Sequence, residues 1–361
     1  MDKKRCSGWK YLSIALLVTG LLAVGLWAFA DEEPPKPDRL VVSTWGFNAE
    51  LLQENLAEAF RDKYGIRIVF DFGNNADRLS RLVAHKKNPR VDVVTFAPNY
   101  AAMAKNEGVL QPLDPENISS LPHIVEWAQN PLGDYYGVGY TIQVFKLAYR
   151  TDKIDPPITS WRDFWRPELK GSITLPEMNT TYGPAVLLMA AKAWGGSVDD
   201  LEVGWEKLKE LVETGALLTT YRRSSEAITM FEQGEVWLAP MPSFAWPMLK
   251  DTGLPLAWVT PASAYWEGLV ASLNTLSVIE GTENKYWAEK FIDFWLSQEV
   301  QADMAMDLVD APANTKVELP PDIEKRFGLD EDIENATFFD PEFIVSNLES
   351  WLDRWNKIVA K

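Results

Sequence analysis

Few side chains in this sequence suit covalent chemistry. The histidines are His85 and His123, and the single cysteine is Cys6. His85 opens a basic run, His85-Lys86-Lys87, at the end of an expected helix, where a cation is favoured. His123 follows a proline in an expected loop. A Ser-His-Asp triad needs one of these two, and neither lies at a strand end, which argues against nucleophilic catalysis. There is no G-x-S-x-G elbow, glycine-rich phosphate loop, H-E-x-x-H or cysteine pair. Hydroxyl, amide and aromatic residues recur instead where apolar segments end. They are Ser43, Thr44 and Trp45; Pro98, Asn99 and Tyr100; Thr141 and Gln143; Asn179, Thr180, Thr181 and Tyr182; Ser243 and Trp246; Trp266; Asn274 and Thr275. Each alone also reads as a cap or a packing residue. Together they suit non-covalent capture of a polar solute by hydroxyls, amides and indole faces.

Two further groups have two readings each. Arg222-Arg223 follows Thr219-Thr220-Tyr221 and precedes Ser224-Ser225. The pair is either an anion clamp at a strand end or a solvated turn with Ser224 capping the next helix. Tyr135-Tyr136 could ligate ferric iron, but iron also needs carboxylate or imidazole partners, and packing beside a hinge strand is the simpler reading.

The elements that position these residues follow from periodicity. Residues 39–45 alternate as a buried strand, and 49–63 form an amphipathic helix with Leu51, Leu52, Leu56 and Phe60 on one side, ended by Gly65. Strands at 66–71 and 91–96 and helices at 76–85 and 99–107 complete a β-α-β-α-β-α pattern, which implies a mostly parallel sheet covered on both faces. Residues 135–150 read as a long extended segment. A second α/β set follows: strands 172–175, 216–220 and 236–240, and helices 184–194, 201–214, 224–233 and 244–250. Extended chain returns at 256–259 and 271–279, and helices at 285–296, 298–308 and 342–358 close the chain. The polar loop 177–183 joins a strand to a helix start, a place where open α/β folds bind ligands. The expectation is an α/β fold of two lobes with two crossover strands, near 138–143 and 266–275, and a ligand in the interlobe cleft.

Residues 1–30 read as an export signal: Lys3, Lys4, Arg5 and Lys10, then an apolar run, then Ala28-Phe29-Ala30 as a cleavage pattern. A retained anchor is the alternative, since the run is nearly long enough to span a bilayer. Residues 31–37 form a charged, proline-rich linker. The full chain of 361 residues carries a net charge of −17, and loss of the basic start would make it more acidic. That balance excludes a nucleic-acid partner. Without Cys6, disulfides, zinc-thiolate sites and thiol nucleophiles are excluded too. Sixteen tryptophans are more than a core of this size needs and suggest stacking surfaces.

Several stretches meet in one family. They are residues 136–140 (YGVGY), 159–171 (TSWRDFWRPELKG), 233–236 (QGEV), 288–294 (AEKFIDF) and Ala313-Asn314. On these the chain resembles the exported solute-binding proteins of ABC importers, in the group that contains the spermidine/putrescine binders. The resemblance implies a type II periplasmic-binding-protein-like fold, two α/β lobes closing on solute, and docking to a membrane permease. It implies lobe 1 at 38–138 and 266–312, lobe 2 at 139–265, and C-terminal helices at 313–361 mainly on lobe 2. It also implies an aromatic ligand residue at the first strand exit, supplied here by Trp45. Polyamine binders place acids in the lobe 2 loop and on the return crossing. This chain has Met178-Asn179-Thr180-Thr181 and Asn274-Thr275 there.

The expected protein is a monomeric, cofactor-free, metal-free and non-enzymatic solute carrier outside the cytoplasmic membrane, serving an ABC importer. The alternatives are a ligand receptor for a signalling partner and an exported hydrolase using two carboxylates.

Overall fold

The computed structural model describes residues 33–46, 49–261, 268–307, 311–329, 333 and 336–360. The expected export signal and Trp266 lie outside the described residues. Eleven strands form the framework among the described residues: β1 (Arg39–Thr44), β2 (Arg67–Phe72), β3 (Val93–Phe96), β4 (Leu110–Gln111), β5 (Val138–Arg150), β6 (Ile173–Pro176), β7 (Leu217–Tyr221), β8 (Leu238–Pro242), β9 (Leu256–Val259), β10 (Val270–Ile279) and β11 (Thr337–Phe338). Their order is β2-β1-β3-β10-β5-β8-β6-β7, with β4 and β11 on β10 and β9 on β5. The β2-β1-β3 and β8-β6-β7 sets are parallel, and β5 and β10 run antiparallel through the middle.

Helices cover these sets because their apolar residues recur every three to four positions. In the first, Leu52, Leu56 and Phe60 are buried at i, i+4 and i+8, and Gly65 ends it at a φ of 77°. That helix is not uniform: Gln53–Glu58 forms a π-helical turn between Ala49–Leu52 and Ala59–Tyr64. Periodicity does not show such a turn.

The two lobes have separate cores, and β5 contributes to both. Val138, Tyr140 and Ile142 pack in the lobe 1 core, whereas Phe145, Leu147 and Tyr149 pack in the lobe 2 core. On β10, Leu273, Leu276 and Val278 face lobe 1, and Val270 faces lobe 2. The change of core falls where Gln143 pairs with Ser272. The C-terminal helix Pro341–Val359 buries Ile344, Trp351, Trp355 and Ile358 in the lobe 2 core. Its first turn reaches lobe 1, where Glu342 pairs with Lys105 at 3.2 Å and accepts from Asn106 at 3.1 Å.

The stretches that carry the family resemblance are structural. Ser160 starts a 3-10 turn at Trp161–Trp165: its hydroxyl accepts from the Arg162 N–H, and the Asp163 carboxylate accepts from the Thr159 and Ser160 N–H groups. Trp161 and Phe164 stack 5.5 Å apart inside lobe 2, and Trp165 Nε1 donates to the Lys207 carbonyl. In helix Lys285–Leu296, buried Glu289 accepts from Asp114 N and Asn117 Nδ2, and Asp293 from Ser119 Oγ and Ser120 N. Ala313-Asn314 is fixed by buried Gln301, whose Oε1 accepts from both backbone N–H groups while Nε2 donates to the Tyr140 carbonyl on β5.

Gln301 therefore clamps the crossing strand to the chain that returns beside it. Gln301→Leu keeps the size but strands two buried N–H donors and one carbonyl. We expect a loss of about 3 kcal/mol or more, since each of these unsatisfied buried groups costs about 1–3 kcal/mol. A lower urea midpoint at unchanged m-value is the check.

Candidate functional site

The polar loop between β6 and helix Gly183–Ala193 is held by its own atoms. The Thr180 N–H and hydroxyl both donate to the Glu177 carbonyl, and the same hydroxyl accepts from the Gly183 N–H. A Cβ on Gly183 would sit 2.1 Å from the Glu177 oxygen, so glycine is required for the loop to close. The helix begins at Gly183, with Pro184 in its first turn. Tyr182 stacks on Phe145 at 4.6 Å and donates to Gln143 Oε1 at 2.5 Å, which ties the loop to the crossing strand.

This loop forms one wall of a cleft of about 520 Å3 between the lobes. Thr180, Thr181 and Tyr182 line it from lobe 2, Thr44 and Trp45 from lobe 1, and Gln143 and Asn274 from the crossing strands. Arg78, fully buried behind Trp45, places its guanidinium 4.6 Å from the indole centroid. It donates to the Ser43 and Thr95 carbonyls and to Asn75 Oδ1. Burial lowers its pKa to about 10, although nearby Tyr140 and Asp71 favour the cation.

The remaining expected site residues lie elsewhere. Asn99 lines a side space of about 30 Å3 next to Thr181 and Tyr182, room for about one water. Tyr100 stacks on Phe96 in lobe 1. Thr141 and Thr275 are buried; the Thr275 hydroxyl donates to the Phe96 carbonyl. Asn179 is exposed and does not line the cleft. Ser243 is buried, exchanging backbone and side-chain hydrogen bonds with Val144, and Trp246 stacks on Trp258 at 5.3 Å. The strand β8 runs to Pro242, two residues past its expected end, so Phe244 and Met248 line the cleft instead.

Tyr140, Tyr221, Asn75 and the Arg222–Ser225 turn also line the cleft. Arg222 Nε donates to Glu177 at 2.7 Å, and Glu226 accepts from the backbone N–H groups of Arg222 and Arg223. Arg223 takes the capping position and Ser224 is the first helical residue, so the expected serine cap is replaced by the Glu226 carboxylate. The signal was present in the sequence: this turn, like the loop at 177–183, follows a strand exit. The tyrosine pair does not line the cleft, and Tyr136 packs in lobe 1 under Lys105.

Two lobes of α/β structure, joined by paired crossing strands and open at a cleft between strand ends, make the fold shared by periplasmic solute-binding proteins. Residues 55–330 match the bacterial extracellular solute-binding protein family, and the chain belongs to it. It is 27% identical over 300 residues to the spermidine/putrescine-binding periplasmic protein of Salmonella typhimurium, covering 80% of this chain and 81% of that one. A crystal structure described as an ABC transporter from Clostridium perfringens is 32% identical, with a TM-score of 0.82 over 89% of this chain and 99% of that one. The spermidine/putrescine substrate-binding protein PotD of Streptococcus pneumoniae shares the fold at 20% identity, with a TM-score of 0.70 over 88% of this chain and 99% of that one. The protein is thus a substrate-binding component of an ABC transporter. Among the described residues no helix is long and apolar enough to cross a membrane.

Burial raises the phenol pKa values of Tyr182 and Tyr221 above the ordinary range, and Tyr221 donates to the Pro240 carbonyl at 2.6 Å. A raised acid binds its proton more tightly in the folded state. Its contribution to stability is present below the unfolded value of about 10 and is lost as pH rises above it. Stability should therefore fall as pH rises above about 10, and less steeply in Tyr221→Phe and Tyr182→Phe. Urea midpoints across that rise test this.

Proposed function

We propose that this protein captures a small polar organic solute outside the cytoplasmic membrane and delivers it to the permease of its transporter. The observation that carries this reading is the cleft itself, about 520 Å3, with an indole, hydroxyls and amides converging from both lobes and from both crossing strands. That volume suits a small organic molecule. The names of its relatives, which include spermidine/putrescine binders, support solute transport as the task. Closure of the lobes about β5 and β10 would bury the solute and present a changed surface to the permease. The chain does no chemistry on the solute. The basic, apolar start of the sequence would direct export, by cleavage or as an anchor.

In this reading Trp45 is the stacking surface, backed by Arg78. Trp45→Ala should weaken solute binding by about 1–3 kcal/mol and leave the fold intact, because the indole is only partly buried. Calorimetry on a solute found by thermal-shift screening measures this. Unchanged affinity would make Trp45 a packing residue, and a broad panel with no shift in melting temperature or tryptophan emission would defeat the proposal.

A further inference from the structure

We infer that the solute carries an oxyanion, a carboxylate or a phosphate, received by Arg222 and Arg223. This rests on the reading of the interlobe cleft as the solute site. The chain has 52 acidic and 35 basic residues, so its surface charge as a whole favours cations. The cleft inverts that balance. Among the described residues that line it, Arg222 and Arg223 are the only charged groups, and none is a carboxylate.

The turn that presents the arginines keeps their guanidinium groups available. Glu226 binds the backbone of both residues, at 2.8 Å and 3.3 Å, and so fixes the turn without a hydrogen bond or ion pair to either guanidinium among the described residues. Glu177 takes only the Nε of Arg222, whose side chain stays 72% exposed. The Arg223 side chain makes no hydrogen bond or ion pair among the described residues, and it is exposed. Planar guanidinium groups on one turn suit the paired oxygens of a carboxylate or a phosphate.

The opposite wall has the same sign. Arg78 is buried among neutral oxygens, with no ion pair among the described residues, behind the Trp45 face. Asn75 gives its amide oxygen to Arg78, which leaves its amide N–H2, a donor, for the cleft it lines. A buried dication would meet arginines and donors where it needs carboxylates. Trp45, Phe244 and Met248 add apolar surface, so the solute has an organic body as well as the anionic group.

Two matched pairs of probes, titrated into the full chain at low salt, test this. One is 4-aminobutyrate against putrescine, in which an ammonium group replaces the carboxylate. The other is glucose 6-phosphate against glucose. We expect at least one anionic probe to bind about tenfold or more tightly than its partner, and Arg222→Gln/Arg223→Gln to remove about tenfold or more of that affinity. The pair that responds identifies carboxylate or phosphate. Both arginines are exposed, so the melting temperature without probe should hardly move. Binding in which neither anionic probe exceeds its partner overturns the inference, as does anion binding that ignores the arginine substitutions. The cleft reading survives either result if Trp45→Ala still weakens the binding seen, and falls with the inference if it does not. Failure of both anionic probes to bind at millimolar concentration also overturns the inference.

Discussion

The antiparallel ladder between β5 and β10 is the constraint on which both lobes depend. Each strand starts in one hydrophobic core and ends in the other, so neither lobe can be completed by local chain alone. Parallel strands on either side need long helical crossovers, which is why the helices surround the sheet sets and leave the strand ends free. The cleft lies where those ends meet the ladder. Its position follows from the ladder before any ligand-facing residue is chosen. The ladder register slips between Asn274 and Thr275, beside the pairing of Asn274 with Thr141. Asn274 lines the cleft there while Thr275 and Thr141 remain inside.

Hydrogen bonding divides the polar residues near the cleft into two kinds. Some complete the backbone: the Thr180 hydroxyl closes its own loop, the Ser243 hydroxyl satisfies β5, and Glu226 holds the arginine turn. Others line the cleft with donors or rings that the fold does not require. Thr180 belongs to both kinds, since it lines the cleft while its hydroxyl is already engaged on both sides. Buried polar groups must find partners, and the short loops around this cleft provide them internally.

Most of the fold was legible in the sequence because its elements are long and regular. Strand β9 and helix Lys285–Leu296 fall at their expected residues, and most others shift by one or two. The short strands β4 and β11, the helix Pro321–Phe327 and the π-helical turn carry too few residues to show a period. The site was legible where a polar run follows an apolar strand, as at Trp45 and at Thr180 to Tyr182. It was obscured at β8 because Pro240 and Pro242 look like a strand end. Proline is tolerated there because β8 pairs with β6 only at Leu238, leaving its far edge free of a ladder. That small displacement replaced Ser243 and Trp246 by Phe244 and Met248. Arg78 was not legible at all, since its burial arises from the meeting of three separate segments, at Ser43, Asn75 and Thr95.

The turn at Trp161–Trp165 and the turn at Arg222–Ser225 belong to the same lobe but are held in different ways. The first is locked by stacked rings and a reciprocal cap, so almost any change there is felt as misfolding. The second hangs from one carboxylate acting on main-chain atoms, which accept most side chains equally well. Side chains at the arginine turn can therefore change with little cost to the scaffold. If solute meets this turn as proposed, cargo can change while the architecture stays, and overall sequence similarity then tracks ancestry better than it tracks cargo.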